Sequence, residues 1–264
     1  MATDLNRKGP ATKLARVKKQ TQVPAGDFGG FRPAALTFLR NLAKHNRKEW
    51  FEDHRGDYET QIKAPMLAFI EEMDVRLATI VPEIIGSPRK SMFRIHRDVR
   101  FSKDKSPYKT HAACWFYHRD AGNSVGGEAA HGGAGFYFHF DAKKAFCGGG
   151  IWMPPRPALQ RIRQSLADDA EGFEDIVLSR SFKQRFGVLD TDAMLTRTPR
   201  GFDPEHRAAN WLRHQSFTAG RELTREELLS PKLPDVVAKQ FKAMVPFVRW
   251  LNDALGLKAI ARRV

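Results

Sequence analysis

In three stretches between Phe93 and Asp141 apolar residues fall at alternate positions, and this restricts what the chain can fold into more than any other feature. Phe93, Ile95, Val99 and Phe101 alternate with Arg94, His96, Asp98 and Arg100, and Phe136, Phe138 and Phe140 alternate with Tyr137, His139 and Asp141. Ala112, Cys114 and Phe116 do the same with His111, Trp115 and Tyr117, and a fourth apolar run, 145–153, follows within a few residues. A period of two marks strands with distinct faces. Strands this close together leave no room for crossover helices, so they predict an antiparallel meander. The glycine-rich connection 121–135 predicts a long mobile hairpin loop.

On either side the period is helical. Leu36, Leu39, Leu42 and Ala43 follow Pro33, which suits a first helical turn, and a second piece carries Trp50, Phe51 and Tyr58. Pro65 opens a third helix with the stripe Met66, Phe69, Ile70, Met73, Leu77, Ile80 and Val81, which ends at Pro82. After Pro155 the helical spacing resumes through Leu159, Ile162 and Leu166, and Asp203–Pro204–Glu205 reads as a helix start. Residues 215–223 would return one more strand, and Val237 to Leu255 form a last helix bent at Pro246. Helices, then strands, then helices predict an α+β fold, an antiparallel sheet of four or five strands flanked by N-terminal and C-terminal helices.

The formal charge is +14, and its distribution says more than its sum. Residues 1–27 carry a net +4 with few large apolar side chains, so residues 1–29 read as a disordered basic arm and residues 30–264 as one α+β domain. Residues 89–111 carry a net +6. No apolar run approaches the roughly 18 residues that span a bilayer, and the N-terminus lacks a signal-like apolar core, so a cytoplasmic protein with no membrane partner is expected. Cys114 and Cys147 read as buried apolar residues in a reducing compartment.

Several familiar chemistries are excluded by what is missing. His96–Arg97–Asp98 resembles the start of a kinase catalytic loop, but Lys103 stands where the metal-binding asparagine would be. The run CGGGIW at 147–152 lacks the Lys–Ser/Thr pair of a phosphate loop, so its glycines predict a bulge or a close approach of strands. His111, His118 and His139 match no compact ligand spacing, no metal is predicted, and nothing names a cofactor.

The stretch RIHRDVRFSKDKSPYK, residues 94–109, survives this pruning. Arginine forks grip phosphate or carboxylate in two places and lysines add point charge, so Arg94, Arg97, Arg100, Lys103, Lys105 and Lys109 are the candidate ligand-binding residues. Asp98 and Asp104 would orient them or act as bases or metal ligands, and Tyr108 and His206 would supply protons. The same charges also fit a solvated outer face with structural ion pairs.

Asn46 with Glu49–Trp50–Phe51, the block Arg97–Asp98–Val99–Arg100–Phe101–Ser102–Lys103–Asp104–Lys105 with Pro107–Tyr108–Lys109, and Gly150 with Trp152 and Pro154 form a recognisable set. Together with Pro199, Gly201, Phe202 and His206 they resemble the domain of unknown function 2461 family, over roughly residues 31–255. The resemblance implies one intracellular domain of about this length in which the charged block belongs to the shared design. It carries over no activity, cofactor or catalytic residue.

Three readings follow. A basic pocket around residues 94–109 would bind, with or without turnover, a phosphorylated or otherwise anionic small molecule. A nucleic-acid binder would use the arm, the basic strand and stacking on Trp115, Phe116 and Tyr117. A non-catalytic scaffold would use the cluster to lock sheet to helices. Neither the reaction nor the oligomeric state is written in these motifs.

Overall fold

The structure, a computed structural model, describes residues 28–100, 103–121 and 132–260. Most of the predicted basic arm, most of the 121–135 loop, and Phe101 and Ser102 therefore lie outside the described residues.

Helix α1, Pro33–Lys44, starts on its proline and buries Ala35, Leu36, Phe38, Leu39 and Leu42. Short helices α2, Lys48–Asp53, and α3, Arg55–Asp57, lead into a π-helical turn, Tyr58–Lys63, and then α4, Ala64–Ile80. Pro65 lies in the first turn of α4, as its sequence position predicts, although helical backbone runs into it unbroken from the π turn. The wider π turn before it makes room for a ring that would clash with the carbonyl four residues back. Met66, Phe69, Ile70, Met73 and Leu77 of α4 are buried, as their spacing requires.

Five strands form one sheet in sequence order: β1, Ile84–Ile85; β2, His111–His118; β3, Gly135–Asp141; β4, Ala145–Ile151; and β5, Phe217–Leu223. Every neighbouring pair is antiparallel. Between β4 and β5 the chain forms α5, Arg156–Asp168, α6, Ala170–Val177, α7, Arg180–Phe186, and α8, Ala209–Leu212. After β5 come α9, Arg225–Leu229, and α10, Leu233–Ala254, with Pro246 inside it. This is the predicted α+β architecture, and no helix among the described residues is long and apolar enough to cross a membrane.

Register assigns the two faces. Cys114 opposes Phe138, which opposes Cys147, while Phe136 opposes Phe116 and Gly149. These side chains meet the helices: Phe138 lies 4.6 Å from Phe69 of α4, and Phe136 stacks 4.5 Å from Phe241 of α10. Both cysteines are free and buried. With β3 between them they stand two strand spacings apart, roughly 10 Å, beyond the reach of a disulfide.

Two predicted elements differ. Among the described residues of the alternation at 93–101 there is no named strand, only isolated bridges from Met92 to Cys114 and from His96 to Tyr108. Asp203–Pro204–Glu205 starts no helix, because the Asp203 carboxylate accepts from the Glu205 N–H at 2.9 Å and closes a local turn; helix begins only at Ala209.

The last described residues run back over the end of the sheet. Glu83, 1% exposed, accepts from Arg249 Nε at 2.6 Å and from the Ile260 N–H at 3.4 Å. His118, fully buried, lies 3.1 Å through Nε2 from the Lys258 carbonyl.

Candidate functional site

Each edge of the sheet is extended by an irregular ribbon, and each ribbon delivers one charge to the face away from α4 and α10. At the β2 edge, Phe93 N donates to Ala113 O at 3.0 Å, Lys109 N to Ile95 O at 2.8 Å, and Arg97 N to Pro107 O at 2.9 Å. The ribbon is clamped by Asn46, whose amide donates to Tyr108 O at 2.9 Å and accepts from Tyr108 N at 3.0 Å. The Tyr108 ring stacks on Phe51, centroids 4.1 Å apart. Asn46→Ala removes both bonds and leaves a backbone donor unpaired, so it is expected to cost about 1–3 kcal/mol. Urea denaturation and faster exchange of the Tyr108 amide check this.

At the β5 edge, residues 190–195 pair with 213–218: Asp190 N donates to Thr218 O at 2.8 Å and Leu195 N to Arg213 O at 2.8 Å. Thr218 Oγ1 donates to the Asp190 carboxylate at 2.7 Å.

Between the ribbons lies a cavity of ≈ 540 Å³. Trp115, Tyr137 and Phe146 line it across the sheet, with Phe93, Lys109 and His111 at one side and Trp152, Asp190 and Thr218 at the other. Its size suits a small molecule. Glycines shape the sheet beneath it: a Cβ on Gly148 would come within 2.9 Å of the Phe146 ring, and one on Gly220 would also strike that ring. The glycines of the CGGGIW run thus serve the close approach of strands that the sequence predicts, and Gly148 lets Phe146 lie across the sheet, where it stacks on His139 at 5.6 Å.

The cavity is apolar, and its ionisable groups show it. Burial, then His139 and Lys109, bring the His111 imidazole down to about 4, and burial also lowers His139. Burial pushes the Tyr137 phenol up to about 12. At neutral pH these groups are uncharged hydrogen-bonding partners. Lys109 is the cation that remains: its ammonium lies 5.3 Å over the Phe93 ring and has no carboxylate partner among the described residues. Burial, then Arg94 and Arg97, hold its amine below the ordinary lysine range. Trp115 Nε1 and His139 Nδ1 are buried on the same face without a hydrogen-bond partner among the described residues.

Of the candidate ligand-binding and catalytic residues named from sequence, Lys109 alone lines this cavity. Arg100 is gripped by Asp98 through Nε at 3.0 Å and Nη2 at 2.7 Å, and Arg94 reaches Asp98 at 4.0 Å. Arg97 pairs with Asp104 at 2.7 Å. Lys105 donates to Val99 O at 2.9 Å, and Lys103 is exposed. Asp98 is held well below the usual carboxylate range, first by the Arg100 side chain and then by its N–H, which makes it a poor base. Tyr108 is buried in the core, and His206 Nδ1 accepts from Ala208 N at 3.0 Å. Asp98→Asn is therefore expected to leave the melting temperature unchanged, since its side chain and that of Arg100 both face solvent.

His111 and His139 do approach, with rings 5.9 Å apart, but His118 lies at the other end of β2 opposite Ile84. Among the described residues no group of three or more His, Cys, Asp or Glu is arranged to hold a metal. Phe116 and Tyr117 are buried, as is Trp115 apart from its cavity edge, so the aromatics considered for base stacking belong to the sheet.

Fold and site together define an α+β protein with a five-stranded antiparallel sheet, flanking helices and a ligand-sized aromatic cavity between the edge ribbons. The chain belongs to the DUF2461 family of conserved hypothetical proteins, which matches residues 34–250. No curated protein and no solved structure matches it.

Proposed function

We propose that the protein binds a small anionic molecule with a largely apolar body in the cavity between Phe93 and Trp152. The observation that carries this is Lys109, a partly buried ammonium in an apolar cavity with no carboxylate beside it among the described residues. An uncompensated charge in such a place is costly, and an incoming carboxylate or phosphate would supply the missing partner through a charge-assisted hydrogen bond. The neutral imidazole of His111 offers a further donor. The arginines of the 94–105 tip would add long-range attraction, since Arg100 and Arg97 pair with Asp98 and Asp104 and Arg94 lies 4.0 Å from Asp98. Two free thiols suit the reducing cytoplasm expected for the chain.

A thermal-shift comparison tests the reading with 2-naphthoate, decahydro-2-naphthoate and uncharged 2-naphthamide. Each acid is expected to stabilise the protein, by about 2.7 kcal/mol at 100 times its dissociation constant, and the amide is not. An absence of any shift with both acids overturns it.

A further inference from the structure

Trp152 is the least economical residue on the cavity. It lines the space yet remains 59% exposed, although an indole is among the side chains that gain most from burial. The backbone holds it there at a cost. Met153, the next residue, has φ 45, the one non-glycine residue with positive φ among the described residues, and its N–H is tied to Ser216 Oγ at 2.9 Å. On the other side Gly150 has φ 123, and a Cβ there would strike the Phe217 carbonyl. The motif residues Gly150 and Trp152 thus serve one geometry: a tight passage out of β4 that presents an indole at the cavity rim. Strain of this kind persists only where surrounding structure enforces it.

The lining at the sheet matches. Phe146 lies across Gly148 and Gly220, which have no side chains to lift it, and Trp115 and Tyr137 pair directly across β2 and β3. A cavity with aromatic rings along the sheet and a preset exposed indole at its rim is built for a flat π-system.

We infer that the ligand's apolar body is an aromatic ring system, stacked by Trp152 while its acidic group meets Lys109. This rests on the anion-binding reading above and narrows it from apolar acids in general to aromatic acids. Trp152 is then a specificity-determining residue, and the saturated analogue of a flat acid, equal in charge and similar in size, should fit poorly.

Titration calorimetry with 2-naphthoate and decahydro-2-naphthoate separates the two ideas. The natural protein is expected to prefer the aromatic acid by roughly fivefold or more, the scale of an aromatic pair beyond its area burial. Trp152→Leu should lower affinity for 2-naphthoate and abolish the preference while leaving the saturated acid nearly unaffected. Trp152→Phe, which keeps a ring at the rim, should restore most of the preference. Quenching of tryptophan emission by 2-naphthoate should weaken in both variants. Equal affinity for the two acids in the natural protein, or a preference that survives Trp152→Leu, overturns the inference and leaves the anion-binding reading standing. Binding of neither acid removes both.

Discussion

Replacing Lys109 with methionine is expected to lower affinity for 2-naphthoate by about 10–150-fold, the worth of a hydrogen bond to a charged group of roughly 1.5–3 kcal/mol. Methionine keeps an unbranched apolar stem beside Phe93, so the loss isolates the ammonium. The variant should fold at least as well as the natural protein, because it removes a desolvated cation that has no carboxylate partner among the described residues. The pH dependence has a definite sign. Binding needs the protonated amine, so affinity falls as pH rises through its pKa, which burial and then Arg94 and Arg97 place below the ordinary lysine range. For the free protein the linkage runs the other way. A folded pKa below the unfolded one means the unfolded chain binds more protons in that window, so stability from this group rises with pH. Calorimetry across the alkaline range should show the decline in the natural protein and a flat profile in Lys109→Met. Unchanged affinity in the variant would remove Lys109 from the site.

The second large effect concerns stability. Arg249→Met leaves Glu83, 1% exposed, without its guanidinium partner, and breaking a buried pair in this way costs on the order of 3–5 kcal/mol. The lower end is expected, since the Arg249 side chain is itself 39% exposed and only one partner is fully desolvated. Burial pushes the Glu83 carboxyl up, but the Arg249 hydrogen bonds and those of backbone N–H groups outweigh it and leave its pKa below the usual value. The pair therefore contributes stability above the unfolded carboxyl pKa, and this is lost as pH falls through the folded one. In the variant only burial and the backbone remain, Glu83 takes up a proton more readily, and the deficit against the natural protein shrinks on acidification. Urea denaturation at neutral and mildly acidic pH measures the difference, and adding Glu83→Gln should recover much of the loss. A deficit that is the same at both pH values would mean that packing, not charge, holds this end of the sheet.

Much of the fold is legible along the chain. The α4 stripe, the Phe136, Phe138 and Phe140 alternation and the strand at Phe217 follow from periodicity, because a helix or strand must bury one face wherever it lies. The charged stretch is legible only in part. Its apolar residues do anchor it, Ile95 in the core and Phe93 at the cavity, but the Asp98 and Asp104 carboxylates close on nearby arginines and backbone N–H groups instead of extending a strand. The cavity residues Trp115, Tyr137 and Phe146 leave a trace in sequence, since β2, β3 and β4 each place an aromatic residue on the face opposite the core. Asp190 and Thr218 leave none.

The sequence alone therefore determined the α+β class and the meander and marked out a cationic stretch, since each depends on local periodicity or on residue type. Which of its cations lines the cavity was decided only by tertiary structure. Strand register brings Trp115 beside Tyr137, the edge ribbons bring Lys109 and Asp190 to the same face, and ion pairing removes the arginines. Charges adjacent in sequence neutralise one another at short range, whereas a site needs a charge whose neighbours, gathered from distant parts of the chain, leave it unpaired.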